Sequence, residues 1–191
     1  MSAITYRVAR EEDASAILEI YSPFILQTAV SFETEVPTLG EFRARMASIM
    51  QTHPWLVAED SGRIIGYAYS NPHRARAAYQ WSAESSIYLS ESARGKGLAR
   101  ELYDRLFTLL RLQGIRMVMA GATLPNPASE KFHLRYGFQT VGVYPRVGYK
   151  FEAWHDVGWW YKEIPQQPGG PTPFRAFPEL SSEELIQVLG G

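Results

Sequence analysis

The sequence predicts an α/β fold, and three observations carry that prediction. Segments with strand-like alternation take turns with segments whose apolar residues recur at helical spacing. Between residues 85 and 122 a strand pattern, a glycine-containing turn, a long leucine-periodic helix and a buried-strand pattern follow one another. The 191 residues, 46% hydrophobic and 20% charged, are enough for one sizeable core and lack the bias of a disordered chain.

Each element has a local cause. "ITYRVA" (4–9) alternates like a strand, and the acidic run Glu11 to Asp13 leads into Ile17, Ile20, Tyr21 and Phe24 at helical spacing. Thr38 and Glu41 stand three apart before Phe42, Met46 and Ile49, the capping box of a second helix. "WLVAE" (55–59) and "IIGYAYS" (64–70) flank the turn "DSGR", which predicts a hairpin. "SSIYLS" (85–90) is a further strand. Leu98, Leu102, Leu106, Leu109 and Leu110 then mark one face of a helix that stops at Gly114, and "IRMVMAGA" (115–122) reads as a buried strand. A shorter helix spans "NPASEKFHLRY" (126–136) and ends at Gly137. Two late strands lie within 138–151 and 154–164. From "PQQPGGPTP" onward the composition changes, so residues 165–191 are expected to form a flexible tail with one short helix at "SSEELIQVL", after a single domain over 1–164.

Composition excludes several classes of function. A formal net charge of −1 provides no global field for nucleic acid or an anionic membrane, so any anion site must be local. The absence of cysteine removes disulfides, thiolate nucleophiles and thiolate metal sites together. No run of about 18 apolar residues exists, and "MSAITYRVAREED" lacks the apolar core of a signal peptide, so a soluble cytoplasmic protein is expected. His53 and His73 have no partner at metal-ligand spacing, and no metal site is expected.

The informative stretch is "ARGKGLAREL" (93–102). Gly95 and Gly97 stand where a helix begins, although glycine is a poor helix former. Glycine lets a ligand approach the backbone amides, and the first turn of a helix offers unpaired N–H groups at the positive end of its dipole. With Arg94, Lys96 and Arg100 around it, this is a cradle for a polyphosphate; an ordinary surface turn would use the same residues. A P-loop fails because Leu98 follows Gly97. A dinucleotide fingerprint fails because Arg100 replaces the third glycine and no acid ends the next strand. What remains is [RQ]-x-x-G-x-[GA], read as Arg94, Gly95, Lys96, Gly97, Leu98 and Ala99. It resembles the acyl-CoA pyrophosphate loop of the GCN5-related N-acetyltransferases (GNAT).

That resemblance extends through "FETEVPT", "HPWLVAEDSGRIIGYAYS", "RARAAYQWSAESSIYLS", "LPNPASEKFHLRYGF" and "GYKFEAWHDVGWW", roughly residues 4 to 164. Together these look like the phosphinothricin and methionine sulfone or sulfoximine acetyltransferase subfamily. The resemblance implies the GNAT fold, a mixed central sheet flanked by helices whose central strand parts from its neighbour, and acetyl-CoA as co-substrate. Ile87, Tyr88 and Leu89 then pair with the pantetheine as an added strand would, and Asn126 lies near the same arm, a role compatible with capping the following helix.

The reaction so implied is attack of an amine on a thioester. An α-amino group has a pKa of about 7.7 to 8.0, so deprotonation costs little at pH 7. The enzyme must supply orientation, a proton acceptor and hydrogen bonds to the developing oxyanion. Glu84 matches the family's general base within "W-x-x-E-S-x-x-Y", acting directly or through a water. His133 matches the position that protonates the leaving thiolate; a half-buried structural histidine would look the same. By resemblance, Phe32, Glu33 and Thr34, with Ser85 and Ser86 beside Glu84, are substrate contacts. Arg74 and Arg76 are suited to a carboxylate or phosphinate. The aromatic residues Tyr79, Trp81, Trp154, Trp159 and Trp160 fit either a pocket or packing. His155 reads as structural. The resemblance implies a homodimer acting on a small amine. A peptide or protein N-acetyltransferase and a non-catalytic acyl-CoA-binding module are the competing readings.

Overall fold

The computed structural model describes residues 4–165 and 170–190. The strands are β1 (Thr5–Val8), β2 (Trp55–Asp60), β3 (Arg63–Pro72), β4 (Ser82–Leu89), β5 (Met117–Leu124), β6 (Gln139–Lys150) and β7 (Ala153–Glu163). The helices are α1 (Ala14–Gln27), α2 (Leu39–Met50), α3 (Leu98–Leu112), α4 (Pro127–Tyr136) and α5 (Ser182–Leu189). All seven strands form one sheet in the order β1-β2-β3-β4-β5-β7-β6. Every neighbouring pair is antiparallel except β4 and β5, which are parallel, so the sheet is mixed as expected.

The alternation of side chains along β2 and β3 divides the core. Leu56, Ala58 and Ala68 face α3, where they join Leu102, Leu106, Leu109 and Leu110 in one cluster that also takes in Val118 of β5. Trp55, Val57 and Tyr67 face α1 and α2, against Ile17, Tyr21, Ile25, Phe42 and Met46. The leucine stripe that marks α3 in the sequence is entirely buried. Three turns follow local chemistry. Thr38 and Glu41 cap α2 reciprocally, Ser61 and Gly62 both take positive φ in the β2–β3 hairpin, and Gly137 ends α4 at φ +96°.

The feature that positions the site is the brevity of the β4–β5 ladder. It pairs only Ser82, Ala83 and Glu84 with Met117, Val118 and Met119. Beyond Glu84, β4 remains paired with β3 as far as Leu89, and its other edge leaves β5. The sheet therefore opens in the middle, and the wedge lies between β4 and α4.

The C-terminal segment departs from the expected flexible tail. Phe177 and Leu180 are buried in the α3-side core, with Phe174 packed against it. Gln113 Nε2 donates to the carbonyls of Thr52 (2.7 Å) and Arg175 (2.9 Å), Phe177 N donates to Thr52 O, and Trp81 Nε1 donates to Thr172 O. The proline- and glycine-rich composition hides these few apolar anchors, and they decide the outcome. Residues 166–169, at the start of this stretch, lie outside the described residues.

Candidate active site

Two concavities adjoin along β4. A cleft of about 820 Å³ is walled by Ile87, Tyr88 and Leu89 on β4, by Phe24 on α1, and by Asn126, Phe132 and His133 at α4, with Arg94 and Ala99 at its end. A smaller cavity of about 340 Å³ is lined by Glu84, Ser85 and Ser86, by Gly121 and Thr123 on β5, by Tyr144 on β6 and Trp159 on β7, and by Phe32. Val30 contributes to both. Successive residues of one strand thus serve the smaller cavity first and the cleft next.

Glu84 is the last residue of β4 paired to β5, so its carboxylate lies at the point of divergence. It lines the smaller cavity, and its Oε1 lies 2.8 Å from His73 Nδ1. Next to it, Ser85 Oγ lies 3.2 Å from the Tyr103 hydroxyl, which lies 3.1 Å from His133 Nε2. His133 Nδ1 stands 2.8 Å from the Ser129 carbonyl. A carbonyl only accepts, so Nδ1 carries the proton and Nε2 accepts from Tyr103. Burial holds this imidazole below its usual range, opposed by the bond to Ser129. Both ring nitrogens are therefore engaged and the charged form is disfavoured. This arrangement favours a supporting role for His133 over the proton donation expected from its position. Burial also pushes the Tyr103 phenol well above its usual range.

The glycine turn has the conformation that its residues require. Gly95 and Gly97 take φ of +75° and +83°, and open space lies where a Cβ would stand on either. Gly97 caps α3, and its carbonyl accepts from Arg100 N and Glu101 N. Arg94 lies over the Phe24 ring, 5.4 Å from its centroid. Arg100 is near Asp104 (3.8 Å) and Lys96 is exposed. Leu98 is buried and Ala99 lines the cleft. Asn126 does cap α4, accepting from Ser129 N, while also lining the cleft.

Four of the expected substrate contacts, Arg74, Arg76, Glu33 and Thr34, do not line the smaller cavity. Arg74 and Arg76 stand on an exposed β3–β4 connection, and neither lines the smaller cavity. Glu33 does not line it either. Its carboxylate accepts from Arg45 at 2.6 and 3.2 Å and from the Tyr21 hydroxyl at 2.9 Å, an ion pair that braces the loop after α1. Phe32, by contrast, takes its place in the wall because its ring lies against Gly148, where any Cβ would overlap it. The aromatic group divides: Trp159 lines the cavity, Trp160 is buried, Trp81 bonds to the C-terminal segment, Tyr79 packs on the His73 ring, and Trp154 is exposed. His155 donates to the Lys150 carbonyl.

Residues that sequence reasoning missed include Lys150, a buried ammonium that donates to the carbonyls of Ile25 and Ser31, both at 2.6 Å. It ties the wall loop carrying Phe32 to the end of α1. Burial lowers its pKa from the usual lysine value. Only its place as the one buried residue of β6 sets it apart, and that pattern appears only in the fold.

A sheet opened beside its central strand, with a glycine turn and a helix N-terminus at the end of the opening, defines an acyl-CoA N-acyltransferase. Residues 6–159 match the acetyltransferase (GNAT) domain, and the chain belongs to that family. It is 34% identical over 177 residues to phosphinothricin N-acetyltransferase of Streptomyces viridochromogenes, covering 93% of this chain and 96% of that one. It is likewise 34% identical to the L-methionine sulfoximine/L-methionine sulfone acetyltransferase of Salmonella typhimurium, over 81% of this chain and 91% of that one. A phosphinothricin acetyltransferase from Sinorhizobium meliloti, solved in complex with acetyl-CoA, superposes with a TM-score of 0.84 at 32% identity, over 88% of this chain and 93% of that one. The chain is an N-acetyltransferase that uses acetyl-CoA, and the open edge of β4 and the glycine turn suit that co-substrate.

Proposed function

We infer that this enzyme acetylates the α-amine of a small amino-acid-like substrate of the phosphinothricin or methionine sulfoximine/sulfone type, held in the smaller cavity. The observation that carries the reading is Glu84, a carboxylate that lines that cavity at the point where β4 parts from β5. Acetyl-CoA supplies the activated acyl group. Ile87 to Leu89 receive its pantetheine along their free edge, Gly95 to Ala99 and the start of α3 hold its phosphates with Arg94, Lys96 and Arg100, and Asn126 borders the arm. Glu84 takes the proton that the amine sheds as the N–C bond forms, and the C–S bond breaks to release CoA as its thiolate, which takes a proton from solvent. Ser85 and Ser86 orient the substrate with Phe32, Tyr144 and Trp159. A cavity of about 340 Å³ is at the lower end of the roughly 300–1,000 Å³ usual for small-molecule sites, which supports a free amino acid over a protein chain. Arg74 and Arg76 steer an anionic substrate from outside the cavity.

A homodimer built on β6 and the β6–β7 turn is part of this reading. Val141, Val143, Val147, Tyr149, Phe151 and Trp154 are all about half or more exposed there, a concentration unusual for a free surface. A sedimentation mass of one chain would remove that part. We place the enzyme in the cytoplasm, where acetyl-CoA is available.

The test is thiol release from acetyl-CoA with phosphinothricin, methionine sulfone, methionine sulfoximine, free amino acids and a peptide pool. Saturable turnover is expected with the first three, and Glu84→Gln should retain acetyl-CoA affinity while lowering kcat by about 10²- to 10⁴-fold. Turnover confined to peptides, or acetyl-CoA binding with no turnover, would replace the reading.

A further inference from the structure

The His73–Glu84 contact is unused by the chemistry assigned so far, and it resembles no surface pair. His73 follows Pro72, the last residue of β3, and its backbone N–H donates to Ser82 O (3.2 Å), which closes the β3–β4 connection. Its ring meets Tyr79 and Trp159 edge-on, with centroids 6.0 and 6.5 Å away. Trp159 is also a wall of the substrate cavity, and His73 is not. The imidazole thus stands behind Glu84 as seen from the cavity, fixed through both backbone and ring. Its Nδ1 lies 2.8 Å from Glu84 Oε1. An ionised carboxylate only accepts, so Nδ1 is the donor.

We propose that His73 is a positioning residue for acetyl transfer: its Nδ1–H holds one oxygen of the Glu84 carboxylate so that the other faces the amine. A glutamate has three side-chain torsions, and a base must meet its proton within hydrogen-bond reach. Fixing Oε1 removes the rotamers that point away, and Oε2 is the oxygen left to accept. As the N–C bond forms and the C–S bond breaks to release CoA as its thiolate, the amine proton passes to Oε2, while the proton on His73 Nδ1 remains there. Nothing is transferred through the imidazole. The proposal rests on Glu84 being the proton acceptor.

Three variants and one spectrum test it. His73→Phe keeps a ring between Tyr79 and Trp159 and removes the donor. His73→Asn places an amide N–H where Nδ1–H stood. Glu84→Ala leaves the imidazole unpaired. His73→Phe should lower kcat about tenfold or more with KM for acetyl-CoA unchanged, and His73→Asn should recover most of that loss. In ¹⁵N spectra the wild-type His73 ring should carry its proton on Nδ1, and Glu84→Ala should shift it toward Nε2. The role is overturned by wild-type kcat in His73→Phe, by His73→Asn performing no better than His73→Phe, or by a ring tautomer indifferent to Glu84→Ala. If the wild-type chain acetylates no amine at all, the reading of Glu84 fails and takes the positioning role with it. In an active enzyme, those other results sink the positioning role alone.

Discussion

At the scale of single residues, buried titratable groups set conditions on where the protein is stable. His53 is 3% exposed, its Nε2 has no hydrogen-bond partner among the described residues, and its ring lies 5.7 Å from that of Phe174. Burial pulls its pKa down to about 4. The unfolded chain, with an ordinary histidine near 6.5, therefore binds the proton at higher pH than the folded chain does. Stability is complete above about pH 6.5 and falls as pH drops toward 4, by up to about 3 kcal/mol from this group. Urea unfolding of wild type and His53→Leu at pH 7 and pH 4.5 should show wild type losing more stability. Parallel losses would mean that the ring is protonated in the folded state too. The same scale limits what sequence can tell about a site. The family resemblance singled out Glu84, which stands where β4 leaves β5, whereas the contacts of His73 and Lys150 run to partners 11 and 119 or more residues away, which no local pattern encodes.

At the scale of elements, most boundaries were legible because local chemistry fixes them. The capping box at Thr38 and Glu41, the turn at Ser61 and Gly62, the leucine stripe of α3 and the stop at Gly137 all appear as written. The β4–β5 divergence was not legible from periodicity. It depends on which strands pair, and only the family resemblance implied it. The position of Arg74 and Arg76 was missed for a related reason: charge complementarity names a suitable ligand, but the path of the β3–β4 connection decides whether a side chain reaches it. In the C-terminal segment the short helix was legible and forms α5, but the anchoring of the stretch before it was missed because averaged composition outweighed Phe174, Phe177 and Leu180. Phe177→Ala should cost about 3 kcal/mol, a core-sized loss, although a flexible tail would tolerate it. Thermal or urea unfolding measures this directly, and an unchanged midpoint would return the segment to the status of an appendage.

At the scale of the whole molecule, substrates and stability are linked. A ligand that binds only the folded chain stabilises it by about 2.7 kcal/mol at a concentration of 100 Kd. Acetyl-CoA at that level should raise the unfolding midpoint and protect the amides of residues 87–89 from hydrogen exchange, while strands β1 and β2 change little. Protection confined to the β6–β7 hairpin would place the ligand elsewhere. This result follows from a ladder that stops after three pairs. A sheet interrupted at its centre acts as a coupling joint: its two halves, β1 to β4 and β5 to β7, are joined by three ladder pairs and by the one core on the α3 side that spans both. A molecule lying in the opening grips both. The acyl donor then does more than carry a reactive group, because a molecule in the opening adds contacts where the backbone ladder has stopped.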